Sequence, residues 1–323
     1  MKLSFVRRVG RRLRDIDLVF PGWLERLLLR DVPNGSEPIR LPIVTVIGPP
    51  RVGSTLMFQV LVSQYRCFHF DNFQHSFLRY PYLAYRFSRR FITPQTGRFR
   101  SDHGYVPGLG GLSEGNFFWP YWFDMGLDEG LPRPDPRRLR HIARVMNAIW
   151  LREGLPMIGS YNSHAFYLGE LARRFERVVV VNMRRDPVAN AVSLLRGRLV
   201  FRGTIEQWWS NRPAECLAAG ITDPYRQIVC QIAGFYRAVK EQRRYLPDAA
   251  VVDVHYEDLC RAPAEVLDRV RTACDNVGIA LPQRAQPPAL PRFEVRRPRP
   301  HEREHAERFR SLCAEIDWHD LWS

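Results

Sequence analysis

Two short segments bring together residues suited to holding anions. The first, Gly48-Pro49-Pro50-Arg51-Val52-Gly53-Ser54-Thr55, has the spacing of a phosphate-binding loop, with two glycines five positions apart followed by two hydroxyl residues. Backbone N–H groups in such a loop, and the positive end of a helix behind it, can cradle an anion, while Ser54 and Thr55 can donate hydrogen bonds. Serine stands where these loops usually carry lysine. A β,γ-triphosphate would then lose its main countercharge, which disfavours ATP or GTP hydrolysis. A tight strand-to-helix turn without a ligand is the other reading of the same residues. The second segment runs from Arg184-Arg185-Asp186-Pro187 to Ser193. An arginine fork with a hydroxyl one helical face away suits a terminal phosphate monoester. Asp186 and Pro187 read as structure, a helix N-cap followed by proline at the first helical position.

Positioning these groups requires strands ahead of them and helices behind. Ile43-Val44-Thr45-Val46-Ile47 and Val178-Val179-Val180-Val181 are short, continuous apolar runs, as expected of parallel strands covered on both faces. Ser54 to Tyr65 and Pro187 to about Arg196 read as the helices that follow them. A third strand is expected at residues 250–254, and helical spacing recurs at Ile228, Ile232, Phe235 and Val239, then at Val266, Val270 and Val277. Alternating strands and helices predict a three-layer α/β domain, P-loop-like, with a central mainly parallel sheet and helices on both faces. The less regular stretch from Phe68 to Phe123 includes Tyr80, Tyr82, Tyr85, Phe117, Phe118 and Trp119, and reads as a lid insertion at the ligand-binding edge. Its aromatic residues, like Trp208-Trp209, suit either packing or stacking on a sugar or apolar ring. The expected organisation is a helical lead-in at 1–40, a main domain at 41–281 with its lid or acceptor region at about 68–123, and a Pro/Arg-rich extension at 282–323 packing on that domain.

Forty-five per cent of the 323 residues are hydrophobic, enough for a sizeable core. The formal charge is +14, and Lys2 and Lys240 are the only lysines, so the positive charge is almost all arginine. Nucleic-acid binding is not expected, because the arginines are dispersed and no helix-turn-helix, zinc-finger or RNA-binding signature is present. The lead-in mixes arginines with Leu18, Val19, Phe20, Trp23, Leu24 and Leu27, a pattern that fits a helix packing on the domain or making peripheral contact with a membrane. No apolar stretch is long enough to span a bilayer. Cys67, Cys216, Cys230, Cys260, Cys274 and Cys313 are far apart, without a CxxC pair, and read as isolated thiols in a reducing, cytoplasmic compartment. Metal ligation is not expected.

The first loop resembles the 5'-phosphosulfate loop of the sulfotransferase superfamily, which reads PRSGTT or PKSGTT; here Pro50-Arg51-Val52-Gly53-Ser54-Thr55 has valine for the usual serine and serine for the first threonine. The second segment resembles the family's 3'-phosphate element, in which an arginine and a serine eight positions later hold one phosphate, matched by Arg185 and Ser193. Tyr256-Glu257-Asp258-Leu259 stands where the family often has YEDL, with carboxylates expected to cap a helix and pair with arginines. The resemblance spans about Ile43 to Val277. It implies 3'-phosphoadenylyl sulfate as cofactor, adenosine 3',5'-bisphosphate as product, no metal, and a hydroxyl-bearing acceptor such as a carbohydrate, a lipid-linked glycan or a small molecule. Arg51 would steady charge on the leaving phosphate, and Gly53, Ser54 and Thr55 would hold the 5'-phosphate.

Sulfuryl transfer to an alcohol also needs a base. The family places a His, Glu or Asp after the loop, for which Asp71, His75, Asp102, His103 and Glu114 are candidates. The stretch from Ser101-Asp102-His103-Gly104 through Glu114-Gly115-Asn116-Phe117-Phe118-Trp119 resembles bacterial sulfotransferase-like proteins, making Glu114 the first choice, then Asp102 and His103. A lysine common in the family before the 3' element is absent, with Ser160-Tyr161-Asn162 in that neighbourhood. A P-loop kinase or NTPase, and a non-catalytic protein of the same fold that only binds nucleotide, remain as alternatives.

Overall fold

The computed structural model describes residues 22–33, 38–101, 104–126 and 136–323. Its elements, in chain order, are α1 (Gly22–Leu28), β1 (Ile43–Ile47), α2 (Ser54–Gln64), α3 (Asn72–Ser76), α4 (Pro81–Phe91), α5 (Phe118–Phe123), α6 (Pro136–Glu153), β2 (Met157–Ser160), α7 (Leu168–Arg174), β3 (Val178–Arg184), α8 (Pro187–Arg202), α9 (Ala214–Ala218), α10 (Pro224–Gln242), β4 (Val251–His255), α11 (Tyr256–Arg261), α12 (Pro263–Asn276), α13 (Arg303–Cys313) and α14 (Trp318–Trp322).

The four strands form one parallel sheet in the order β2-β1-β3-β4. Apolarity on both faces explains the unbroken apolar runs. Ile43, Ile47, Val178 and Val180 enter a core shared with α6 and the aromatic residues of the stretch 68–123. Val44, Val46, Val179 and Val181 face the opposite way, onto α2 and α12. β4 alternates buried and half-buried residues, as an outer strand does. The sheet is thus the α/β layer predicted, with helices on both sides. β1 and β3 are neighbours paired from Ile43↔Val178 to Ile47↔Asn182, so the loops leaving their carboxyl ends emerge side by side. In open parallel sheets that is the end where ligands bind.

Local signals settle the helix starts. Asp186 accepts from the Ala189 N–H at 2.7 Å and Pro187 takes the first helical position, so α8 begins where the sequence indicates, although it continues to Arg202. Within the stretch 68–123, Asp71 caps α3 by accepting from the Gln74 N–H at 2.7 Å, and Ser88 of α4 donates to its second oxygen. The aromatic residues there mostly pack on one another: Phe70, Phe118, Trp119 and Phe123 sit in the core beneath the sheet, with ring centroids 4.4–6.3 Å apart.

The stretch after Pro282 is irregular to about residue 299; beyond it α13 and α14 fold back on α8 and α10, burying Ala306, Phe309 and Cys313 in a third core. The Arg/Glu-rich surface of α13 conceals this narrow apolar stripe in the sequence. The cysteines are not all isolated thiols. Cys216 and Cys230 are joined by a disulfide, because α9 packs on α10 and brings their Cα atoms within 5.9 Å; the other four are free and buried. The reducing-compartment inference therefore loses its basis. Of the lead-in, residues 1–21 lie outside the described residues. No helix among the described residues is long and apolar enough to cross a membrane.

Candidate functional site

A cleft of about 910 Å³ opens over the carboxyl ends of β1 and β3. Its floor is the loop from Gly48 to Thr55. Gly48 and Gly53 have φ of 138° and 109°, and Arg51 has φ of 71°, so the loop rises steeply before α2 begins. Neither glycine has room for a side chain. A Cβ at Gly48 would lie 2.8 Å from the Met183 carbonyl oxygen, and one at Gly53 would lie 2.5 Å from the Tyr256 ring. The loop is thereby pressed between β3 and α11, with Ser54 and Thr55 in the first turn of an eleven-residue helix whose free N–H groups face the cleft. Asn190 secures it further by donating from Nδ2 to the Pro50 carbonyl at 2.9 Å.

The second segment meets the first here. Arg51 donates from Nε to Ser193 Oγ at 3.3 Å. Arg185, buried at the end of β3, donates to the Arg51 carbonyl at 2.8 Å and to the Arg296 carbonyl at 2.5 Å, while its guanidinium lies 4.5 Å from the centre of the Tyr256 ring. Its Nε has no protein partner. Burial, then the positive charges of Arg185, Arg296 and Arg196, lower the Arg51 pKa to about 10. Burial also lowers that of Arg185. Arg196 is offset by a two-pronged pair with Glu302 at 2.8 and 2.6 Å. Arg51 and Arg185 have no such carboxylate against them among their described hydrogen bonds. Two crowded, desolvated guanidinium groups in an open cleft form an electrostatic arrangement that an anion relieves.

Glu114 lies across the loop. Thr55 Oγ1 donates to its Oε1 at 3.3 Å. Burial pushes its pKa up to about 7, against smaller lowering effects from Thr55, Arg51 and Asn116. A carboxyl poised there can take up or give a proton near neutrality. Gly53, Ser54, Thr55, Arg51, Arg185, Ser193 and Glu114 thus converge on one cleft. Asp102 and His103 lie outside the described residues. Asp71 is committed to capping α3 and to Ser88, whereas His75 lines the cleft beside Phe117, ring centroids 5.1 Å apart.

Sequence reasoning missed several groups. Arg196 follows Ser193 by one helical turn, a signal that was available. Arg296 and Arg297 reach the cleft from the irregular tail, where only their density in the Pro/Arg run hinted at a role. Tyr256 was noted for its acidic neighbours, but it is the ring that meets Arg185; Glu257 accepts from the Asp186 N–H at 3.5 Å. On the far wall Asn162 Oδ1 is buried without a protein partner, as is Ser160 Oγ at the end of β2. Asn211 donates to Ser163 there, and Gln231 of α10 donates to the Trp209 carbonyl at 3.2 Å. Among the described residues, the one cluster of potential metal ligands is Glu215 with Cys216 and Cys230, whose sulfurs are bonded to each other.

The parallel sheet, with a glycine-hinged loop and two arginines at adjacent strand ends, defines an α/β protein. The Sulfotransferase family model matches residues 42–279, and the chain belongs to that family. The matched span holds both loops, Glu114 and Tyr256. Solved structures similar to the chain include sulfotransferase STF9 from Mycobacterium avium, with 14% identity over 90% of this chain and 71% of that one, at a TM-score of 0.49. Sulfotransferase STF1 from Mycobacterium tuberculosis H37Rv has 18% identity over 84% and 74%, at 0.45. A sulfotransferase from Alicyclobacillus acidocaldarius has 16% identity over 84% and 93%, at 0.41. No curated protein matches the sequence.

Proposed function

We propose that the protein transfers the sulfuryl group of 3'-phosphoadenylyl sulfate to an acceptor hydroxyl by in-line attack, leaving adenosine 3',5'-bisphosphate. The observation that carries this reading is the meeting of Arg51, Arg185 and Ser193 beside the Gly53-Ser54-Thr55 turn. A cofactor with phosphates on both sides of one ribose calls for two neighbouring anion sites, and adjacent parallel strands supply them. The unpartnered Nε of buried Arg185, and a turn with space for no side chain at Gly53, suit close approach of an anionic ligand. Gly53, Ser54 and Thr55 would hold the 5' side, and Arg185 with Ser193 the 3'-phosphate.

The donor, when bound, supplies an activated sulfuryl group on a phosphate leaving group. The chain's own residues supply the rest. Arg51 offsets negative charge on the departing phosphate, and its crowding by other arginines favours that role. Glu114 takes the hydroxyl proton onto a carboxylate oxygen, which requires it to be ionised before attack. No metal has a part in this scheme. The acceptor would enter over the lid side of the cleft, between Phe117 and the Trp209-Ser210-Asn211 segment, a mixture of rings and amides that suits a carbohydrate or another polyhydroxylated group. The absence of a loop lysine argues against a triphosphate substrate.

Calorimetric titration tests the reading directly. Adenosine 3',5'-bisphosphate is expected to bind and ATP to bind far more weakly; tight ATP binding with none of the bisphosphate overturns the proposal. A screen of hydroxyl acceptors with radiolabelled sulfate donor then identifies the substrate class.

A further inference from the structure

A second surface lies beside the mouth of this cleft. α1 exposes Trp23 (59%) and Leu27 (46%), and α4 exposes Phe87 (37%) and Phe91 (65%), so two joined helices each carry a pair of large exposed apolar side chains. Leu24 and Leu83 join Phe87 and Phe91 around a shallow groove of about 460 Å³ that links the two helices. The rings are in register: Phe73 stacks on Phe87 at 4.9 Å and Phe87 meets Phe91 at 4.7 Å. α3 carries the row on from Phe73 to His75, which meets Phe117 at the cleft mouth.

The display is held firmly. Glu25 of α1, itself buried, accepts from the Tyr82 and Leu83 N–H groups at 3.1 Å each, satisfying the free amides at the start of α4, and meets His141 of α6 at 2.7 Å. A buried carboxylate devoted to joining α1 to α4 fixes the two exposed faces next to each other. Their charge is one-sided. Arg26, Arg86 and Arg90 are exposed around the rings, while the nearby Asp31 and Glu153 are each already matched to an arginine, Arg30 and Arg89. The 21 residues that lead into α1 add six Lys/Arg against two Asp.

We propose that this face docks the protein onto a bilayer surface carrying anionic lipid, with Trp23, Leu27, Phe87 and Phe91 entering the headgroup boundary and Arg26, Arg86 and Arg90 meeting lipid phosphates. Exposed aromatic side chains ringed by arginine match an apolar interior beneath a negative surface, and either component alone gives only weak anchoring. The inference stands independently of the donor assignment, since it concerns a different surface and a different measurement.

Cosedimentation of the full chain with vesicles tests it. Binding is expected to phosphatidylcholine vesicles containing about a third phosphatidylglycerol and to be nearly absent with pure phosphatidylcholine. The double variant Phe87→Ser/Phe91→Ser and the charge reversal Arg86→Glu/Arg90→Glu are each expected to lower partitioning about tenfold or more. Leu217→Ser, an exposed apolar site on α9, should sediment like the unaltered chain. Should the serine variant fail to match the parent's thermal melt, the charge reversal, at two exposed positions, carries the test. The proposal is overturned if the unaltered chain ignores both vesicles, if charge reversal weakens binding while a folded serine variant does not, which would make the contact purely electrostatic, or if neither variant weakens binding, which would leave the arginine-rich residues 1–21 as the contact. It is overturned equally if sedimentation velocity finds a dimer that the serine variant dissociates, because a second copy would then occupy the face.

Discussion

On the loop side of the cleft, the side chains hang from the ends of β1 and β3, and backbone pairing from Ile43↔Val178 to Ile47↔Asn182 fixes how far apart they emerge. On the facing side, Glu114, Asn162 and Asn211 come from three irregular or 3-10 segments, held by individual hydrogen bonds and by the disulfide that joins α9 to α10. The first arrangement is set by the sheet and can tolerate variation around it, as the valine at position 52 illustrates. The second depends on one side chain after another. A chain built this way can keep the loop side of its cleft while changing what faces it.

That contrast can be tested by perturbing each side separately. The largest effect is expected from Glu114→Gln, which keeps shape but cannot accept a proton. Turnover should fall about 10²–10⁴-fold with bisphosphate affinity retained, and unchanged turnover would remove Glu114 from the proposed role. In the parent, the ionised form is the competent one and its pKa lies at about 7, so turnover should rise as pH increases through 7; a limb down at ordinary carboxylate pH would contradict the buried environment. Folding stability should move the opposite way, because a carboxyl with a raised pKa favours the folded state most below its unfolded value and loses that contribution as pH climbs to about 7.

On the loop side, Arg185→Ala is expected to weaken bisphosphate binding by about 100-fold in calorimetry, since a charge-assisted fork to a phosphate is lost. Arg185→Lys sharpens the comparison: it keeps the charge and loses the fork, so an intermediate loss is expected. Parent-like binding in Arg185→Ala would separate this residue from the anion site. The smallest effect belongs to Gly53→Ala, which places a methyl in the left-handed region and against the Tyr256 ring. A stability loss of about 1–3 kcal/mol is expected from denaturant midpoints. Pairing it with Tyr256→Ala should recover the steric part and leave the conformational part.

The difference between the two sides also decides what could be read from the sequence. Ile43–Ile47 and Val178–Val181 announce themselves because a strand buried on both faces must be apolar throughout, and Asp186-Pro187 because a cap is a local contract between neighbours. The Arg185 to Ser193 interval is equally local, one strand end and two helical turns. Glu114 came into view only through resemblance, and its link to Thr55 crosses 59 residues. Arg296 had only the arginine density of the tail to mark it, and the Cys216–Cys230 bond had no local signal, because their partners are chosen by how helices and tail pack. The apolar stripe of α13 is three residues among arginines and glutamates, too narrow to stand out before α8 and α10 are in place.

Arg185 holds the carbonyls of residues 134 positions before it and 111 positions after it. Contacts of such separation close late in folding, because the intervening chain must first be ordered. During synthesis the guanidinium therefore waits for residue 296 before its second carbonyl exists. The loop side of the cleft thus reaches its final form only after residue 296 has been made, so a shorter nascent chain has little means of sequestering the nucleotide it is proposed to use.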